Sequence, residues 1–287
     1  MNPWISAARS KTLSAGAVPV LVGSALAYMD KSFSLDIFFA TLLGALSLQI
    51  ATNYINDASD FLRGADSETR IGPPRMAQLG LLTPRSLYLG ACFCFLIALL
   101  AGIFLILHAG IIILWIGIFS IIGATAYTAG PFPLAYYGLG ELFVFIFFGL
   151  TAVCGTYFSH THGFSSSALL AAIMVGLLAM AIILVNNTRD ITTDTMAGKK
   201  TMSVRFGKKL SQHFYATIVL LPFLLLYFFI ESGSWKFIFP ITLLPLAAKN
   251  IHDMYTKHTG EDFNALLART AKLELLFGFL FSLAAIL

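Results

Sequence analysis

The stretch NNTRDITTDTMAGKKTMSVRFGKK, Asn186 to Lys209, follows without a break on SSALLAAIMVGLLAMAIILV, Ser166 to Val185. The apolar run has the length a helix needs to cross a bilayer, about 20 residues. It ends in Asn186, Asp190 and Asp194, with Lys199, Lys200 and Arg205 close behind. Acids near a helix C-terminus oppose the macrodipole, so their placement calls for another reason. A similar stretch, NYINDASDFLRGAD, Asn53 to Asp66, closes an earlier apolar run.

Around these motifs the chain is strongly apolar. It has 287 residues, 58% hydrophobic and 11% charged, and its mean hydropathy is +0.83. Soluble domains carry roughly a quarter charged residues, so the expected class is an all-α, polytopic membrane protein forming a single domain over 1–287. Its 26 Phe and 23 Gly suit helices that face lipid and pack closely on one another. A bilayer, not a nucleic acid, is the partner this composition points to; the oligomeric state is left open. Cys92 and Cys94 stand about 200° apart on a regular helix, so they and Cys154 read as apolar packing. The first apolar segment follows Arg9 and Lys11 and reads as a retained helix rather than a cleaved leader.

Apolar segments predict nine helices around a central cavity, at about 12–29, 35–56, 86–107, 110–128, 139–159, 166–187, 212–230, 236–254 and 270–287. The third-to-fourth boundary near His108 and the eighth segment, with Pro240, Pro245 and Lys249, carry the weakest signals. With nine spans, every Lys and Arg except Lys31 and Lys236 falls on the side of the N-terminus and of the loops after even-numbered helices. The positive-inside rule then puts the motif loops, about 53–85 and 186–211, in the cytoplasm. Asn56 and Asn186 are four helices apart; duplication of a four-helix unit plus a ninth helix would produce that spacing.

Asn186, Asp190 and Asp194 are spaced i, i+4, i+8, which places three oxygen-bearing side chains on one face of a continuous helix. Asn56 and Asp60 repeat the i, i+4 relation, with Asn53 and Asp57 beside them and Asp66 after Gly64. Hard oxygen donors of this kind suit Mg²⁺, which binds few protein carboxylates and completes its shell with water and phosphate oxygens. Two facing acidic clusters therefore point to Mg²⁺ ions clamping a diphosphate. Arg63, Arg70 and Arg75 behind the first cluster, and Lys199 and Lys200 behind the second, can take outer phosphate oxygens. Acids gathered at helix ends on one face argue against a transporter, which would place them near the midplane.

NDASDFLRGAD together with NNTRDITTD resembles the paired Asp-rich motifs of the UbiA superfamily of intramembrane prenyltransferases. Within it the chain resembles the branch acting on 1,4-dihydroxy-2-naphthoate in menaquinone synthesis. That likeness is carried by Gly64 and Asp66 ending the first motif, RIGPPR (Arg70 to Arg75), YTAGPFPLAYYGLGE (Tyr127 to Glu141), the second motif, and LLARTAKLELLFG (Leu266 to Gly278). It implies a nine-helix enzyme of the bacterial inner membrane in which Asn56, Asp57, Asp60, Asp66, Asn186, Asp190 and Asp194 serve the metal, with Asp60, Asp190 and Asp194 central to catalysis. Arg9, in AARSKTL, matches a basic family position, although Ser10 follows where Pro is usual. After Tyr127 many relatives carry a base for the diphosphate, and this chain has Gly130, Pro131, Phe132 and Pro133 instead.

The implied reaction joins a polyprenyl group from its diphosphate to 1,4-dihydroxy-2-naphthoate, releasing diphosphate and CO₂ and giving demethylmenaquinone. Acceptors such as 4-hydroxybenzoate or homogentisate are the alternative. Asn53, Tyr127, Tyr136 and Glu141 are candidates for the pocket of the acceptor and the allylic cation, whose charge aromatic faces can stabilise. Glu141 is the first candidate for the acid–base group. His160 and His162, in the segment HTH, read as a solvated loop on the side opposite the motifs.

Overall fold

A computed structural model describes residues 2–64, 72–129, 133–231 and 234–287; Asp66 and Arg70 lie outside them. The described residues are helical, with no strand among them. In chain order the helices are α1 (Pro3–Ala8), α2 (Ser10–Met29), α3 (Leu35–Leu62), α4 (Pro84–Ala109), α5 (Ile111–Ala126), α6 (Gly140–Val144), α7 (Ala152–Thr161), α8 (Ser166–Arg189), α9 (Ile191–Met196), α10 (Met202–Glu231), α11 (Leu244–Thr256) and α12 (Gly260–Ile286). Turns of π-helix, Phe145–Thr151, join α6 to α7 in one rod of 22 residues.

Six of these rods are long and apolar enough to cross a membrane: Thr12–Met29, Leu35–Leu62, Pro84–Ala109, Gly140–Thr161, Ser166–Arg189 and Met202–Glu231. Ile111–Ala126 is a shorter apolar helix. The boundary near His108 is made by Gly110, which ends α4 and starts α5 at φ 85. Of the eighth expected segment, Trp235–Leu243 is wound as 3₁₀ turns around Pro240, and only Leu244 onward is α-helix, with Pro245 in its first turn. Pro lacks the N–H that an α-helix interior requires and is tolerated at its start. Helix α10 begins ten residues before its apolar core and is broken at Gly207. Helix α12 begins at Gly260 behind a Thr259–Asp262 capping box, a start signal that outranks hydropathy.

The largest apolar core lies among α2, α7, α8, α10 and α12, around Leu26, Leu178, Leu184, Tyr215, Leu226 and Phe281. Helix α8 meets the π-helical turns backbone to backbone: a Cβ on Gly149 would stand 2.6 Å from both the Ala172 carbonyl oxygen and the Gly176 Cα. Small residues permit that approach, and the widened turns carry Phe147, Phe148 and Thr151 to a cavity wall. A second core packs α1 against α3 and α4 at the motif end. A third, of Ile37, Leu105, Ala109, Ile113 and Phe158, closes the other end.

That far end corrects one expectation. His160 is buried in the last turn of α7, not solvated. Its Nδ1 accepts the Ser34 N–H at 3.2 Å, its Nε2 lies 3.0 Å from Ser24 Oγ, and its ring stacks on Phe33. An Nδ1 that accepts leaves the proton on Nε2, so His160 donates to Ser24 and pins the α2–α3 turn. His162 is exposed.

Candidate active site

The C-terminal end of α3 and the α8–α9 junction line one pocket. Lys199 Nζ lies 3.6 Å from Asp60 Oδ1 and 3.8 Å from Asp194 Oδ1, so one ammonium bridges an acid from each motif. Asn56, Asp60, Asn186, Asp190, Asp194 and Lys199 line a polar pocket of about 100 Å³, with Arg9, Arg75 and Tyr127 at its rim. The pocket borders a larger, mostly apolar chamber of about 800 Å³ that shares Arg9, Asn56, Arg75, Tyr127 and Asn186 with it. Along α3 the chamber is lined from Asn56 to Thr41, a depth of about 22 Å at the helical rise.

The second motif does not lie on one helix. Asp190, at φ −94 and ψ 10, links α8 to α9. Its carbonyl still accepts the Asp194 N–H at 2.7 Å and also takes the Thr193 hydroxyl at 3.0 Å. The three oxygen donors nevertheless line one pocket.

Basic groups from both sides hold the carboxylates. Arg75 Nη2 donates to Asp60 Oδ2 at 2.9 Å, and the Tyr136 hydroxyl donates to Asp60 Oδ1 at 3.1 Å. Arg63 and Lys199 stand 5.4 and 4.7 Å from the Tyr136 ring centre, within cation–π reach; Arg63 itself is exposed. Thr128 donates its hydroxyl to Asn56 Oδ1. Burial lifts the Asp194 carboxyl to about 7, with Lys199 pulling it down and Asp190 and Asp60 pushing it up.

Several candidates are turned elsewhere. Asp57 is buried and its two oxygens accept the backbone N–H groups of Met76 and Ala77 at 3.0 and 3.1 Å, tying down the segment that carries Arg75. Asn53 donates to the Ala8 carbonyl at 2.9 Å and to Thr12 Oγ1 at 3.2 Å. It thereby braces the α1–α2 turn, where Arg9 takes a left-handed conformation, φ 53 and ψ 69. Strained residues of this kind persist where neighbours fix them. Glu141 accepts from Asn187 Nδ2 at 2.8 Å behind the pocket wall. The Lys200 side chain is exposed, while its backbone N–H donates to the Tyr136 carbonyl at 2.8 Å and its carbonyl accepts from Arg205 Nε.

Sequence reasoning missed Arg189, inside the second motif. Its Nε and Nη2 donate to the two oxygens of Asp190 at 2.8 and 2.7 Å, Nη2 also to Asn186 Oδ1 at 2.8 Å, and Nη1 to Asn264 Oδ1 of α12 at 2.6 Å. A base between two oxygen donors was the available signal. Attention went instead to the run behind them.

The donor set fits Mg²⁺. Its members are carboxylate and amide oxygens, at a pocket where burial, with Asp190 and Asp60, raises the proton affinity of Asp194. Among the described residues no three His, Cys, Asp or Glu side chains gather closely enough to hold an ion.

The description "UbiA prenyltransferase family" matches residues 16–276. A 1,4-dihydroxy-2-naphthoate octaprenyltransferase of Haemophilus influenzae is 34% identical over 100% of this chain and 96% of its own length. Among solved structures, the apo form of a UbiA homolog from Aeropyrum pernix K1 superposes with a TM-score of 0.73 at 14% identity, covering 95% of this chain and 97% of that one. A UbiA homolog from Archaeoglobus fulgidus bound to GPP and Mg²⁺ gives 0.65 at 15% identity, covering 99% of each chain.

Proposed function

The chain belongs to the UbiA prenyltransferase family, and on that premise we propose that this polyprenyltransferase alkylates 1,4-dihydroxy-2-naphthoate from a polyprenyl diphosphate. Diphosphate and CO₂ leave, and the ring stays at the hydroquinone level, so the direct product is the quinol form of demethylmenaquinone. The observation that carries the reading is the meeting of the two motifs in one polar pocket at the head of a deep apolar chamber. The naphthoate acceptor is the one in the name of the H. influenzae relative, and the A. fulgidus homolog binds GPP and Mg²⁺.

Asn56, Asp60, Asn186, Asp190 and Asp194 would hold Mg²⁺, with Asp66 as a further candidate. Bound there, Mg²⁺ would neutralise the diphosphate and stabilise the negative charge that grows on it as the allylic C–O bond breaks. Arg9, Arg75 and Lys199 reach the same pocket and take phosphate oxygens; Arg63 guards the mouth, and Arg70 is a further candidate. The prenyl tail lies along the apolar chamber. Tyr127 and the Phe143 and Phe147 rings, whose centres are 5.9 and 4.2 Å apart in succession, wall the junction where the allylic cation forms. They exclude water and offer π faces to it. The acceptor ring carbon that bears the carboxylate attacks the allylic carbon; loss of CO₂ restores the aromatic ring. Glu141, behind Tyr127, is the candidate for receiving the hydroxyl proton.

We place the motif loops in the cytoplasm of a bacterial inner membrane, with α5, the α11 segment and α12 completing nine spans; the distribution of Lys and Arg supports this orientation. The test is purified protein with Mg²⁺ and radiolabelled polyprenyl diphosphate, offered each aromatic acceptor in turn. Label should pass to 1,4-dihydroxy-2-naphthoate. Transfer to 4-hydroxybenzoate or homogentisate instead would overturn the acceptor assignment.

A further inference from the structure

Arg189 is the most deeply buried base at the site, its side chain 1% exposed, and it faces the chamber rather than water. A buried guanidinium is tolerated only when charge and hydrogen bonds are met locally. Here one planar fork grips both oxygens of Asp190, bonds Asn186 Oδ1 with the same Nη2, and reaches Asn264 on α12 with Nη1. Two oxygen donors of the second motif and a separate helix are therefore held by a single side chain.

We propose that Arg189 is the positioning residue of the metal site: it sets the orientation of Asp190 and Asn186 toward the cation, and Asn264 anchors it. This rests on the reading of the pocket as a Mg²⁺–diphosphate site. Each sp² oxygen has two lone pairs. The fork takes one on each Asp190 oxygen and leaves the other for a cation. At Asn186 the bond fixes which end of the amide is the oxygen; without it, the NH₂ end could turn inward and repel a metal. The bidentate pairing with Asp190 also balances the guanidinium charge where it borders the apolar chamber. Lys could supply the charge but not the fork.

The test uses full-length protein in detergent, with Mn²⁺ as the probe and inorganic pyrophosphate present, and reads free Mn²⁺ by electron paramagnetic resonance. Groups that orient metal ligands alter affinity by about 10–100-fold when removed. Arg189→Lys should weaken Mn²⁺ binding by that factor while keeping the wild-type melting temperature within a few degrees. Asn264→Ala, which leaves the guanidinium in place but unanchored, should weaken it severalfold. Asn264→Asp keeps an acceptor oxygen for Nη1 and should restore wild-type affinity. If Arg189→Lys fails to fold, the Asn264 pair carries the test. Wild-type Mn²⁺ affinity in both Arg189→Lys and Asn264→Ala, with binding lost in Asp190→Asn, would overturn the positioning role alone. Unchanged binding in Asp190→Asn as well would overturn the metal reading itself.

Discussion

Asp57 offers the sharpest way to separate an acid that holds metal from one that holds backbone. In Asp57→Asn one amide oxygen can still accept from Met76 or Ala77, but the other position becomes an NH₂ facing an N–H donor. The lost bond was to a charged acceptor, worth about 1.5–3 kcal/mol, and the buried donor left behind costs a further ~1–3 kcal/mol. The two together, about 2.5–6 kcal/mol, correspond to a fall of roughly 5–24 °C in a chain of this size. The assay is thermal unfolding in detergent, paired with a Mg²⁺ titration of transfer at saturating donor. The melting temperature should drop, and the donor KM should rise because Arg75, next to Met76, loosens from Asp60. The Mg²⁺ concentration for half-maximal rate should stay below the roughly tenfold rise that follows loss of a group holding a metal ligand, because the Asp57 oxygens are taken by the Met76 and Ala77 amides. A wild-type melting temperature with a tenfold higher Mg²⁺ requirement would refute this and return Asp57 to the metal.

Other perturbations have equally definite outcomes. Asp190→Asn should lose most turnover without unfolding the protein, because an amide cannot replace the carboxylate, and should melt lower because the buried Arg189 loses its counter-charge; EDTA should abolish transfer and Mg²⁺ restore it. Since the Asp194 carboxyl titrates near 7 without metal, a cation must displace its proton below that pH. Mn²⁺ affinity should fall about tenfold per unit below 7 and level off above it, and a flat profile from pH 5.5 to 8.5 would contradict the assignment. The sign for stability is opposite: a raised folded pKa favours the protonated fold, so metal-free protein loses that contribution as pH rises through 7, and its melting temperature should be lower at 8.5 than at 5.5. Gly149→Val would force α8 away from the π-helical turns, because its Cβ would stand 2.6 Å from the Ala172 carbonyl oxygen; overpacking costs about 1–3 kcal/mol, read as a lower melting temperature.

Much of the architecture was legible because lipid imposes a simple rule: apolar runs of about 20 residues form helices. Six of the expected segments are helices long and apolar enough to span and a seventh is a shorter apolar helix, and the two motifs line one pocket. Hydropathy was silent where other forces act. It gave no warning of α1, a single apolar-faced turn and a half held by Asn2 and Asn53. Nor could it show that the helix would be interrupted within the second motif, at Asp190. Roles were harder to read than places. An Asp at i+1 of Asn56 looks like a further ligand, yet that one step turns Asp57 about 100° away, onto the Met76 and Ala77 amides. Arg189 was passed over because its partners, Asp190 beside it and Asn264 on α12, become neighbours of one guanidinium only after the chain folds.

The most direct measurement is mass spectrometry of the lipid made by purified protein from octaprenyl diphosphate, 1,4-dihydroxy-2-naphthoate and Mg²⁺. The expected product carries one octaprenyl chain on the naphthalene ring and lacks the carboxyl group, and it is missing when Asp60 or Asp190 is changed to Asn. An unaltered naphthoate, a prenylated ring that retains its carboxylate, or full product from both variants would contradict the assignment.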